Sequence, residues 1–119
     1  MYLKKKKTMD EKKHEKLCQH IADELGYPDA IIFEGYEDAF LGMSHDGRAI
    51  YSYDRMIEYL IEHDGMSYTD AIEWIDFNTI RAIPYFGSNA PIVLYDDPDW
   101  DWYKDEEENE TSNENTDKQ

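Results

Sequence analysis

The sequence predicts a small α+β domain: a mainly antiparallel sheet of about three strands packed with three helices, in the order α-β-β-α-α-β. Three observations predict it. Residues 52–78 read as two short amphipathic helices joined at Gly65. Two short strand patterns flank an Asp46-Gly47 turn before them, and one strand pattern follows them. An order that mixes hairpin and helices in this way fits one sheet with helices packed against it.

Residues 1–8 form a basic start and residues 9–95 a single domain. From Met9 to Leu25 the positions Leu17, Ile21 and Leu25, with Cys18 and Ala22 beside them, make one apolar helical stripe. Gly26 stops that helix and Pro28 follows. Its lysines come early and Asp23 and Glu24 come late, against the dipole preference. Ala30 to Phe33 is a short apolar run, either a strand or a buried connection. Asp38–Met43 and Arg48–Tyr51 are strands around Ser44-His45-Asp46-Gly47, whose Asp-Gly pair is a hairpin signal.

The helical pair carries the clearest local signals. Ser52 is a candidate N-cap, because its hydroxyl can accept a hydrogen bond from a first-turn amide. Tyr53, Met56, Ile57, Leu60 and Ile61 fall on one stripe, His63 sits in the last turn, and Gly65 can take the left-handed conformation of a C-cap. Ser67-Tyr68-Thr69-Asp70 approximates a capping box and starts a second helix whose stripe is Tyr68, Ala71, Ile72 and Ile75. Pro84 ends the helical region and Gly87-Ser88-Asn89 reads as a turn. Pro91 to Tyr95 is the last strand, with its proline suited to an edge or a strand end.

Charge divides the chain in three. Residues 1–16 hold seven lysines and three acids, residues 17–95 three arginines and fourteen acids, and residues 96–119 two lysines and eleven acids. The net charge is −16, and no lysine occurs between Lys16 and Lys104. Such a surface repels nucleic acid and anionic membrane and attracts basic protein surfaces. Apolar content of 40% is enough for a folded core. The basic start has no apolar stretch behind it, so it is not a signal peptide, and no apolar run reaches membrane-span length. One cysteine, Cys18, rules out a disulfide within the chain, which points to a reducing cytoplasm.

Lys104 to Gln119 reads as disordered. Trp100, Trp102 and Tyr103 are out of place in so acidic a tail, and they either fold back on the domain or form an interaction segment. Asp97, Asp99, Asp101, Asp105 and Glu108 match the ligand spacing of a calcium loop, but Trp102 stands where that loop needs glycine, so no metal or other cofactor is assigned.

Three arrangements bear on function. Cys18 and His14 are four apart on one helix, which can pair a thiol with an imidazole; a buried cysteine beside a surface histidine is the plainer reading. Asn78, Thr79 and Arg81 can form a small anion or nucleotide site, against a structural role for Arg81. Asp54, Glu58 and Glu62 (i, i+4, i+8) and Asp70, Glu73 and Asp76 (i, i+3, i+6) form acidic rows, with only Arg55 inside the helices to offset them. Like charges at i, i+4 cost about 0.2–0.5 kcal/mol per pair. A helix rise of about 1.5 Å per residue sets such carboxylates about 6 Å apart, near the spacing of phosphates along a nucleic-acid strand. The rows, with Trp100 and Trp102, are therefore candidate contacts for a protein with a basic, nucleic-acid-binding surface. No constellation singles out catalytic residues, so a binding protein is expected rather than an enzyme, and self-association is a further alternative.

Residues 38–95 resemble a group of small proteins of unassigned role encoded by bacteriophages and prophages. The shared features are Tyr51-Ser52-Tyr53, Gly65-Met66-Ser67, Asp70-Ala71, Glu73, Phe77-Asn78, Pro84-Tyr85, Gly87 and Ala90-Pro91. The resemblance covers about half of the chain. It implies a phage accessory protein acting in the host cytoplasm, a class that often antagonises host nucleases or other defence factors. It implies no enzymatic activity.

Overall fold

In the computed structural model the described residues are 8–98 and 104. They form an α+β domain with three α-helices and a three-stranded mixed sheet. Helix α1 (Met9–Gln19) is followed by a π-helical turn (His20–Glu24). A 3-10 turn (Glu37–Ala39) leads into β1 (Phe40–Met43) and β2 (Ala49–Ser52). Helices α2 (Tyr53–Asp64) and α3 (Tyr68–Asn78) come next, then a 3-10 stretch (Ile80–Asn89) and β3 (Ile92–Leu94).

The caps explain where the helices begin and end. Thr8 and Glu11 form a reciprocal capping box at the start of α1. The Ser52 hydroxyl accepts from Arg55 N (3.2 Å), and the Ser67 hydroxyl accepts from Asp70 N (3.1 Å). Gly65 takes φ 73° at the end of α2, donating to Ile61 O while Met66 N reaches back to Leu60 O.

Helix α1 is shorter than the apolar pattern implies. Its α-helical part ends at Gln19, and Leu25 N bonds His20 O five residues back. That wider turn rotates Leu25 off the stripe, leaving it 38% exposed while Ile21 is fully buried. Asp10 and Glu11 occupy the first turn of α1, where the dipole favours them, whereas Asp23 and Glu24 fall at the end of the π turn that continues the helix, where it does not. Residues Ala30 to Phe33 form a connection rather than a strand. Phe33 N donates to the Tyr51 hydroxyl (3.1 Å) in the core.

The sheet order is β1-β2-β3. Strands β1 and β2 pair antiparallel, with Phe40 opposite Tyr51, Met43 opposite Ala49 and an irregularity between Phe40 and Gly42. Strands β2 and β3 pair parallel, with Ile50 opposite Ile92 and Ser52 opposite Leu94. One of the two pairings is thus parallel, because the whole α2–α3 unit forms the crossover that returns the chain beside β2 in the same direction. Strand β3 lies at an edge, where the preceding Pro91 costs no ladder bond. The hairpin turns at Ser44 to Gly47, where the Ser44 hydroxyl donates to Asp46 and accepts from Arg48 N (3.0 Å).

The core gathers Phe33, Tyr36, Ala39, Ala49, Tyr51, Met56, Ile57, Leu60, Ala71 and Ile75. Both inner helix stripes contribute, except that Tyr68 is 62% exposed and Ile61 sits at the rim. No helix among the described residues is long and apolar enough to cross a membrane.

Candidate protein-docking surface

Helices α2 and α3 are joined by a short turn at Gly65–Ser67 and run back along one another. The Tyr53 hydroxyl at the start of α2 donates to Asp76 Oδ1 (3.4 Å) near the end of α3. Burial, then the Asp76 charge, pushes the Tyr53 phenol up to about 12. With their apolar stripes turned inward, both helices direct their acids to solvent: Asp54, Glu58, Glu62, Asp70, Glu73 and Asp76 are all exposed. None of the six forms an ion pair with another described residue.

The two rows face different surroundings. Glu58 and Glu62 border an open groove of about 490 Å³ shared with Arg55, Tyr59, His63, Asp38 and, from α1, Asp10 and Lys13. Basic groups therefore do reach this face from outside the helical pair. Lys13 nevertheless spends its charge on Asp38 (3.0 Å), and His63 bonds Asp10 (3.2 Å) and Asp64 (2.7 Å) while stacking on Tyr59. These carboxylates raise the His63 pKa, the bond to Asp64 contributing most.

The α3 row has no such cover. Asp70 and Glu73 border a second hollow, of about 390 Å³, with Met66, Trp74, Phe77 and Asn78. Trp74 is 48% and Phe77 58% exposed. Asp70, Glu73, Trp74 and Phe77 stand at i, i+3, i+4 and i+7, a single outward stripe in which two carboxylates are followed by two aromatic rings. The apolar-stripe reading passed over Trp74 and Phe77, although their spacing from Asp70 was a usable signal. The Arg81 guanidinium lies 4.5 Å from the centre of the Phe77 ring. Asp76 stands apart from this stripe, on the Tyr53 side.

The alternative anion site is not assembled in this arrangement. Asn78 Nδ2 donates to Trp74 O (3.1 Å), Arg81 rests on Phe77, and Thr79 is buried beside Tyr36, whose burial-raised pKa its hydroxyl partly offsets. Trp100 and Trp102 lie outside the described residues, as does most of the calcium-like spacing. Among the described residues no group of three or more His, Cys, Asp or Glu side chains is arranged to hold a metal ion.

The Cys18–His14 pair is in contact and has a third member. Cys18 Sγ is 3.5 Å from His14 Nε2, His14 Nδ1 is 2.8 Å from Glu37 Oε2, and Gly35 N donates to the same carboxylate (3.0 Å). The order thiol, imidazole, carboxylate is that of a nucleophilic triad. Its electrostatics oppose that use. Burial raises the thiol pKa, and Glu37, Glu34 and Glu15 raise it further. Cys18 also lies within helix α1, whose own ladder takes up the neighbouring amides that an oxyanion would need. The arrangement clamps α1, which buries no residue of its own, onto the turn at Glu37.

No protein-family model, curated protein or solved structure matches this chain.

Proposed function

We propose that this protein binds a partner protein through a basic surface of that partner, using the outward carboxylates of α2 and α3. The observation that carries the reading is the exposure of all six acids on two capped, packed helices without an ion pair to any described residue. A fixed row of unneutralised carboxylates creates a persistent negative field, which steers a basic partner and competes for sites that otherwise take phosphates. In the setting suggested by the resemblance to phage proteins, the partner is a nucleic-acid-binding host protein in the cytoplasm, and occupying its basic surface inhibits it.

The test is capture of partners from a bacterial host lysate on the immobilised full chain, followed by competition with DNA or RNA. Nucleic acid should displace a partner held through its nucleic-acid-binding surface. A partner retained in full at saturating DNA and RNA would contradict phosphate mimicry.

A further inference from the structure

We infer that the Trp74–Phe77 hollow on α3 is an arginine-binding subsite, built to take a guanidinium-bearing segment of a basic partner protein. The inference rests on the basic-partner reading above and names the side chain that the partner supplies.

Three features of the hollow point to this occupant. Its wall is aromatic and open, with Trp74 half-exposed and Phe77 more so. Isolated exposed apolar residues are ordinary, but two aromatic rings and Met66 around one concavity are the composition of a protein-docking anchor. Its rim is acidic, with Asp70 and Glu73 one helical turn apart on the same stripe. Asp70 is fixed further by its place at the capped start of α3, where Ser67 holds its amide. Finally, the same surface already holds a guanidinium: Arg81 sits 4.5 Å over the Phe77 ring.

Chemistry selects arginine from these features. A planar guanidinium can stack on Trp74 while its N–H groups reach a carboxylate on the rim. An ammonium is a compact, strongly hydrated charge and gains less from the ring face. A second copy of this chain is a poor occupant, since apposing two acid-rimmed hollows on chains of net charge −16 brings like charges together. An anionic lipid surface is excluded by the same sign.

The probe is hexa-arginine peptide, with hexa-lysine as the comparison, titrated into the full-length chain and followed by ¹H–¹⁵N NMR. The Trp74 indole N–H reports the hollow separately from the acidic tail. Hexa-arginine should shift that signal saturably, with affinity about two- to fivefold above hexa-lysine, the range of an exposed cation–π contact. Trp74→Leu should remove the preference for arginine, Trp74→Phe should keep much of it, and Glu73→Gln should weaken both peptides. The subsite is rejected if the two peptides bind equally, or if the Trp74 indole stays still while amides around Glu58 and Glu62 move; in that second case the basic-partner reading survives without it. If neither peptide moves any α2 or α3 signal, both ideas fall. A Trp74 signal that shifts on diluting the chain alone would make the occupant a second copy and overturn the proposal.

Discussion

Replacing Ser52 by alanine should unfasten the joint between the sheet and the helical pair. Ser52 is fully buried at the point where β2 becomes α2. Its hydroxyl accepts from Arg55 N (3.2 Å) and donates to Asp96 Oδ2 (2.9 Å), just past β3. Losing the N-cap costs about 1 kcal/mol. Losing a hydrogen bond to a charged acceptor costs about 1.5–3 kcal/mol, and the lower end applies because Asp96 is exposed and regains water. The total is about 2–3 kcal/mol, which lowers the melting temperature by about 10–20 °C for a domain of this size. Asp96→Ala should cost about 1 kcal/mol, because it leaves the cap intact. The double variant should fall short of the sum of the two by about 1 kcal/mol, since the shared bond is lost only once. Urea unfolding followed by far-UV circular dichroism gives all four stabilities. A Ser52→Ala loss below about 0.5 kcal/mol, or strictly additive variants, would refute this account of the joint.

Other expected outcomes follow from single contacts. Tyr51→Phe leaves Phe33 N–H buried without its acceptor and should destabilise by about 1–3 kcal/mol, measured by the same unfolding assay. Gly47→Ala should cost about 1–2 kcal/mol, because φ is 81° there and the new Cβ would meet the Tyr27 ring at 3.2 Å. The His63 pKa, read from its imidazole NMR signals, should lie above its ordinary 6.5 and fall in Asp10→Asn. The sign follows from a pKa raised on folding: the stabilisation from His63 is complete below pH 6.5 and is lost as pH rises through the folded value. Docking of α1 through Asp10 should therefore loosen on the alkaline side, seen as faster amide exchange in α1 once intrinsic rates are divided out.

Local signals carried most of the fold. Ser52, Gly65 and Ser67 punctuate the chain by rules that need only neighbouring residues, and the Thr8–Glu11 box was open to the same reading; Pro84 does not end the helical region, since α3 stops at Asn78 and a 3-10 stretch runs through Pro84 to Asn89. What stayed hidden depends on distance along the chain. The parallel β2–β3 pairing, the Ser52–Asp96 bond 44 residues apart and the Glu37 contact to His14 are set by the tertiary fold, and no periodicity encodes them. The early end of α1 was missed because a π turn breaks the 3.6-residue period on which the stripe was drawn. In the candidate site, the exposure of the six acids followed from the inward stripes. Trp74 and Phe77 were passed over because they lie off the inward apolar stripe, while the outward face was read for its charges alone. The different setting of the two acidic rows was also illegible, since it depends on where α1 docks.

The central claim is that the α2 and α3 carboxylates hold a basic partner. Its most direct measurement is the affinity of the partner captured from host lysate for the wild-type chain and for a variant reversed at Glu58, Glu62, Glu73 and Asp76, at low and at physiological salt. Exposed charges are screened beyond about 8 Å at physiological ionic strength, so wild-type binding should weaken as salt rises. The reversed variant, folded by circular dichroism, should lose binding at both salt concentrations. Equal affinity of the two proteins, insensitive to salt, would contradict the account.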